Sequence, residues 1–161
     1  MKPILKKIVS GGQTGADRAA LDAAIEHGFA HGGWLPKGRK TEDGPLPEKY
    51  ALQEMTSSDY RKRTRQNVID SDGTLIVSHG GLTGGSLLTL VEAKKMGSPC
   101  LHLDLEQVNG SEALLLLVAW LIENSIKTLN VAGPRASSDP VIYQQVYLLV
   151  SGLLVELKGG I

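Results

Sequence analysis

The sequence predicts an α/β fold, a three-layer sandwich around a mostly parallel central sheet. Three observations carry that reading. Short apolar runs at residues 6–10, 73–78, 100–105 and 128–132 read as buried strands. Segments of helical length and spacing alternate with them, the pattern of a parallel sheet covered by helices. Three of the strands also run into glycine-containing turns, after Ser10, Ser78 and Ala132. In a parallel sheet, the loops leaving the carboxyl ends of strands gather along one edge, where ligands bind.

At 161 residues the chain suits one domain, residues 1–161, with a substantial core. Its 17 basic and 17 acidic side chains balance, so no global field favours nucleic acid or an anionic membrane. A single cysteine, Cys100, excludes an internal disulfide framework and fits a reducing, cytoplasmic setting. Residues 1–7 lack the apolar region and cleavage site of a signal peptide. The apolar stretch 113–122 is far shorter than the roughly 20 residues a bilayer demands. The longer stretch 141–157 is interrupted by Gln144, Gln145, Ser151, Gly152 and Glu156. Both read as helices buried in the core or by a partner subunit, which points to a homo-oligomer.

In chain order, residues 6–10 make the first strand and 16–27 a small-residue helix closed by Gly28. Gly33, Trp34 and Leu35 form a short strand stopped by Pro36. Residues 37–47 are a long loop with three basic residues, two glycines and two prolines, a type that tends to carry function. Residues 50–56 are a short extended piece. A helix over 58–69, capped by Ser57 or Ser58, places Tyr60, Thr64, Asn67 and Val68 at helical spacing. The 73–78 strand leads through the second turn to a helix over 87–96, stopped by Gly97 and Pro99. After the strand at 100–105 come a helix over 111–124 and the last strand. Asp139 and Pro140 form a cap and first turn for a final helix reaching Lys158.

The first turn, Ser10-Gly11-Gly12-Gln13-Thr14-Gly15-Ala16-Asp17-Arg18, sits between strand and helix. That arrangement offers backbone N–H groups and the positive end of a helix dipole to an anion. It is not a Walker A loop, because no Gly-Lys-Ser/Thr ending occurs. It approaches the dinucleotide fingerprint, but no acid follows near Leu35 to hold ribose hydroxyls; Lys37, Arg39 and Lys40 stand there instead. Thr14 and Asp17 match a capping box in its aspartate form, so Asp17 either closes the helix or meets a ligand. Arg18 lies where the dipole disfavours a cation, which calls for a nearby anion or carboxylate.

The second turn, Gly80-Gly81-Leu82-Thr83-Gly84-Gly85-Ser86, carries four glycines and two hydroxyls suited to phosphate oxygens. His79 stands beside it with no evident partner. The third turn sets Arg135 after Gly133 and Pro134, with Ser137 and Ser138 following, a set that suits a phosphate or carboxylate or simply caps a helix. Catalytic sets are thin. The histidines (His27, His31, His79, His102) are scattered and show no zinc spacing with Cys100. Asp17, Asp43, Asp72 and Asp104 are acids without a recognisable pair, and Asp72 belongs to a turn at the far end of its strand.

These blocks, with Gly33-Trp34-Leu35-Pro36-Lys37-Gly38-Arg39, Arg63-Thr64, Asn67-Val68, Asp70-Ser71-Asp72-Gly73, Leu82-Thr83-Gly84-Gly85-Ser86 and Asn130-Val131-Ala132-Gly133-Pro134-Arg135, resemble the molybdenum cofactor carrier family. That family is a branch of the Rossmann-like superfamily that includes LOG, lysine decarboxylase-like and YpsA proteins. The resemblance covers nearly the whole chain. It implies a Rossmann-like fold and a phosphorylated pterin, molybdenum cofactor, as cargo for a molybdoenzyme recipient, without catalysis. The ligand is expected at Gly11, Gly12, Gln13, Thr14, Gly15, Asp17 and Arg18, and across the cleft at Thr83, Gly84, Gly85, Ser86 and Gly133. Lys37, Arg39 and Arg135 would balance its charge. LOG relatives are phosphoribohydrolases whose motif ends in a glutamate. Here Leu87-Leu88-Thr89 follow the glycines and the first acid is Glu92, which counts against that alternative. A nucleotide-derived ligand sensor is the third reading.

Overall fold

The computed structural model describes residues 1–159. In chain order it contains β1 (Lys7–Val9), α1 (Ala16–Glu26), β2 (His31–Gly32), β3 (Trp34–Leu35), β4 (Gln53–Glu54) and α2 (Tyr60–Ile69). These are followed by β5 (Gly73–Ser78), α3 (Gly84–Lys95), β6 (Cys100–Asp104), α4 (Gly110–Glu123), β7 (Thr128–Ala132) and α5 (Ile142–Gly159). Five strands form one sheet in the order β2-β1-β7-β5-β6, every pair parallel. The architecture is Rossmann-like α/β.

Numbered from β5 as its first strand, the sheet reads 2-1-3-4-5, a doubly wound order. Its topological switch point falls between β5 and β7. The chain is thus a circular permutation of that order, with its start brought beside the end of α5: Lys2 Nζ donates to Leu157 O at 3.4 Å.

Alternation along the strands splits the two layers. Leu75, Val77, Leu129, Val131, Ile8 and Leu103 join one apolar cluster with α1, α4 and α5. Ala16, Ala19, Ala20, Ala23 and Ala24 are fully buried there, and their small size lets α1 pack closely on α5 and the sheet. The intervening residues Thr74, Ile76, Ser78 and Asn130 face the other layer, where α2 packs on α3. That face is polar: Asn130 Nδ2 donates to Thr74 Oγ1 at 3.2 Å, and Ser78 Oγ lies 2.7 Å from His102 Nε2.

The strand expected at residues 33–35 forms only at Trp34–Leu35, and a strand not expected, His31–Gly32, precedes it in a different sheet. His31–Gly32 pairs with β1, whereas Trp34–Leu35 pairs with β4 in a separate two-stranded sheet. The division falls at Gly33, where φ is +130° and an added Cβ would lie 2.1 Å from Ser10 O. Helix α2 fastens this small sheet, because Asn67 Oδ1 accepts from Trp34 N at 2.8 Å and Asn67 Nδ2 donates to Trp34 O at 3.0 Å. A second apolar cluster, Leu21, Leu35, Leu46, Tyr50 and Leu52, fills the space under the long loop.

Three helix starts differ from expectation by two residues or more. Asp59, not Ser57 or Ser58, caps α2, accepting from Arg61 N at 2.9 Å. Helix α3 begins at Gly84 rather than Leu87, so the glycines of the second turn are its first turn. In α5, Asp139 Oδ1 accepts from Val141 N at 3.1 Å, and the helix starts only at Ile142. Asp72 has the turn role expected of it: its Oδ2 accepts from Lys127 N and Thr128 N and so anchors the start of β7.

Two glycines separate packing demands from open space. Gly15 has φ +81°, and an added Cβ would sit 2.3 Å from Pro134 O; a Cβ at Gly85 meets nothing within 4 Å. Gly15→Ala is expected to destabilise the protein by about 3 kcal/mol or more, through backbone strain and clash. Gly85→Ala, in a helical first turn, stays within about 1 kcal/mol of the parent. Guanidinium unfolding of both variants checks the contrast; equal destabilisation would refute it.

Candidate functional site: the switch-point cleft

A cleft of about 760 Å³ opens at the carboxyl ends of β5 and β7. Gly11, Gln13 and Asp17 contribute from the first turn and the start of α1, and Arg63, Thr64 and Asn67 from α2. The opposite wall is Gly81, Leu82, Thr83, Gly84, Gly85, Ser86 and Thr89, and residues 132–135 and 138–141 complete it. The polar sheet face, with Ser78 and Asn130, belongs to the same lining.

The two glycine turns do different things. An added Cβ would fall 1.2 Å from Arg63 Nη1 at Gly11, 2.9 Å from Leu46 Cδ2 at Gly12 and 2.4 Å from Val77 O at Gly133. Those positions, like Gly15, admit other parts of this chain. At Gly81, Gly84 and Gly85 an added Cβ meets nothing within 4 Å, so the second turn faces open space. The first turn's N–H groups are also engaged internally. Gly12 N donates to Ser10 Oγ, Gln13 N to Asp17 Oδ2 and Thr14 N to Gln13 Oε1, at 3.0–3.3 Å. The second turn holds the better anion geometry, because the first N–H groups of α3 are intrinsically unpaired and Thr83 makes no side-chain cap. Asp104 holds that turn in place, its Oδ1 accepting from Gly80 N at 2.8 Å and Glu106 N at 2.9 Å. These two backbone bonds keep the Asp104 carboxyl below the usual aspartate range.

The capping box expected of Thr14 and Asp17 does not form. Gly15 is the N-cap of α1 and makes no side-chain cap bond. Asp17 Oδ2 instead meets Arg63 Nη1 at 3.2 Å in a buried ion pair, and the guanidinium occupies the space that Gly11 leaves free. Burial raises the Asp17 pKa, and the neighbouring Arg63 charge pulls it back. Among the described residues, Arg63 Nε and Gln13 Nε2 are buried donors with no hydrogen-bond partner.

At the third turn, His79 Nδ1 lies 2.6 Å from Asp139 Oδ2, and both residues border the cleft. The histidine with no evident partner thus gains one 60 residues away. Ser137, which the sequence left between an anion contact and a helix cap, is held by Glu42 of the long loop: its Oγ donates to Glu42 Oε1 at 2.5 Å and its N to Oε2 at 3.2 Å. Thr14 Oγ1 also donates to Glu42 Oε2 and accepts from Ala136 N at 3.1 Å. Glu42 therefore latches the long loop to the first and third turns. The Ser137 hydroxyl, then that of Thr14, hold its carboxyl below the usual glutamate range.

Of the residues expected at the ligand, Gly11, Gln13, Asp17, Thr83, Gly84, Gly85, Ser86, Gly133 and Arg135 line the cleft. Gly12, Thr14, Gly15, Arg18, Lys37 and Arg39 do not. Arg18 finds the carboxylate its position calls for within the chain, in Asp43 at 3.1 Å. Arg39 donates to the carbonyls of Leu46, Pro47, Tyr50 and Leu52, so it organises the long loop. Lys37 is exposed. Sequence reading missed Arg63 and the His79–Asp139 pair as site residues. Arg63 stands four residues before Asn67, on the face of α2 that is buried. That spacing was the available signal.

The order of the sheet and the cleft at its switch point define a circularly permuted doubly wound α/β protein. A profile of the circularly permutated YpsA SLOG family matches residues 8–154, and the chain belongs to that family. The 1.45 Å crystal structure of a protein from Syntrophus aciditrophicus SB, described as a putative molybdenum carrier protein, is similar at 55% identity and a TM-score of 0.94. The match covers 96% of this chain and 98% of that one. No curated protein matches the sequence significantly. Among the described residues, no helix is long and apolar enough to cross a membrane, and no group of three His, Cys, Asp or Glu residues is placed to hold a metal.

The latch has a measurable signature. Glu42→Gln is expected to speed amide exchange in residues 37–47 and 135–138 by about tenfold, by weakening charge-assisted bonds. Because the folded Glu42 pKa is lowered, its contribution is present above the ordinary value of 4.5 and is lost as pH falls through the lower folded value. The Ser137 amide followed by NMR should report that loss in the parent and not in Glu42→Gln. An unchanged exchange rate in the variant would refute the latch.

Proposed function

We propose that the cleft binds a phosphorylated heteroaromatic small molecule and carries it without catalysis, with molybdenum cofactor as the cargo. The observation that carries this reading is the pair of buried, unpartnered donors, Gln13 Nε2 and Arg63 Nε, on residues of a cleft whose far wall is an open glycine helix start. Buried donors without partners are costly, and a ligand's acceptors would satisfy them. In this reading the first N–H groups of α3 receive phosphate, while Arg63 and Arg135 offset its charge. The relationship to a structure described as a putative molybdenum carrier protein supports the choice of cargo, and we propose a molybdoenzyme as its recipient.

The His79–Asp139 pair favours a second reading, a nucleotide-processing hydrolase, since an aspartate-oriented imidazole at a cleft can take a proton from water. Against a LOG-type reaction, Glu92 points to α2, where Arg65 lies at 3.1 Å and Arg61 at 3.8 Å, and Thr89 borders the cleft instead. We also propose a homo-oligomer, with a second copy covering Leu115 and Leu116 of α4 and Leu148 and Val155 of α5, all exposed in the single chain. Light scattering should then give a mass above the 17.2 kDa of one chain; the mass of a single chain would sink this proposal.

Protein purified from a molybdenum-replete host is expected to carry a pterin, seen by mass spectrometry, together with molybdenum. Gly85→Asp should lose both by at least about tenfold with an unchanged unfolding midpoint, because an acid in a first helical turn suits the dipole. An empty parent protein that releases free base from nucleoside monophosphates would replace the carrier reading with the hydrolase.

A further inference from the structure

At the rim of the cleft, three cations surround one aromatic ring. Lys40 Nζ lies 4.6 Å from the centroid of Tyr60, Arg63 Cζ 5.4 Å and Arg135 Cζ 5.7 Å. They come from three separate parts of the chain: the long loop, α2 and the third turn. A ring face attracts a cation, but a third like charge at the same ring adds repulsion that the quadrupole does not offset. The acids nearby do not balance the set. Asp17 is committed to Arg63. Glu42, close enough for the Arg135 charge to act on its carboxyl, has its oxygens engaged by Ser137 and Thr14. Among the described residues, neither Lys40 nor Arg135 has a carboxylate within 4 Å.

This cluster is separate from the start of α3, and Arg63 and Arg135 link it to the cleft lining. A buried, unpartnered donor, Arg63 Nε, belongs to the same cluster. We propose that the Tyr60 cluster is a second anion subsite and that the cleft takes its phosphorylated cargo with a second phosphoryl group linked to the first, a linkage for which nucleoside diphosphates are the probes. The inference rests on the reading of the cleft as a phosphate-ligand site. One phosphoryl group meets the N–H groups of α3, and the next meets Arg135 and Lys40, with Tyr60 holding both cations in position.

Calorimetry with AMP, ADP, GMP and GDP tests it. The parent protein should bind each diphosphate at least about tenfold more tightly than its monophosphate, as expected for charge-assisted bonds to a second phosphate. Lys40→Gln should reduce that preference at least about threefold while leaving monophosphate affinity within about threefold. Tyr60→Leu should reduce the preference and Tyr60→Phe, which keeps the ring, should retain it. Equal affinity for mono- and diphosphates in the parent, or an undiminished preference in Lys40→Gln, overturns the subsite alone. Absence of binding by all four probes overturns both the subsite and the underlying phosphate reading of the cleft.

Discussion

The buried ion pair between Arg63 and Asp17 is the constraint on which the site depends. Asp17 belongs to the first turn of α1 and Arg63 to the middle of α2, so their 3.2 Å contact ties the first glycine turn to α2. The guanidinium fits only because Gly11 has no side chain, and the carboxylate also accepts from Gln13 N. A buried pair of this kind is costly to desolvate and weak as a source of stability. Its value here is placement: it fixes a cation in the lining of the cleft and, among the described residues, leaves Arg63 Nε without a partner.

Around that pair, the loops settle their own polar groups before any ligand arrives. Arg39 gathers four carbonyls, Arg18 meets Asp43, and Glu42 fills the donors of the third turn. Asp22 receives the hydroxyls of both Tyr50 and Tyr143, holding the long loop between α1 and α5. Burial, reinforced by the Asp22 carboxylate, pushes the Tyr50 phenol up to about 12. Arg18 and Arg39, two of the basic residues expected at a ligand, thus hold loop structure together. Lys40 and Arg135, which have no carboxylate within 4 Å among the described residues, stand together at the rim.

The elements of the fold were legible because hydrophobic burial leaves a periodic trace. The run at Gly73–Ser78 is buried at every position and was recovered to the residue. The helix over 111–124 shifted by only one residue at each end. Boundaries failed where side chains compete for backbone groups, as when Asp59 rather than a serine capped α2. The site was half legible. Glycine density singled out both turns, but among the described residues a Cβ at Gly81, Gly84 or Gly85 meets nothing within 4 Å whereas Gly12 and Gly15 are closely packed, and glycine content alone does not distinguish them.

By itself, the sequence determined an α/β fold, the strands and helices that build it, and the sheet edge at which its glycine turns meet. Those follow from local periodicity and from the rule that parallel strands send their exits to one side. Only the tertiary structure decided the circularly permuted strand order, the partner of each charge and which glycines face space rather than protein. Such facts depend on contacts between residues far apart in the chain, His79 with Asp139 and Arg63 with Asp17 among them, and local patterning carries no record of those distances.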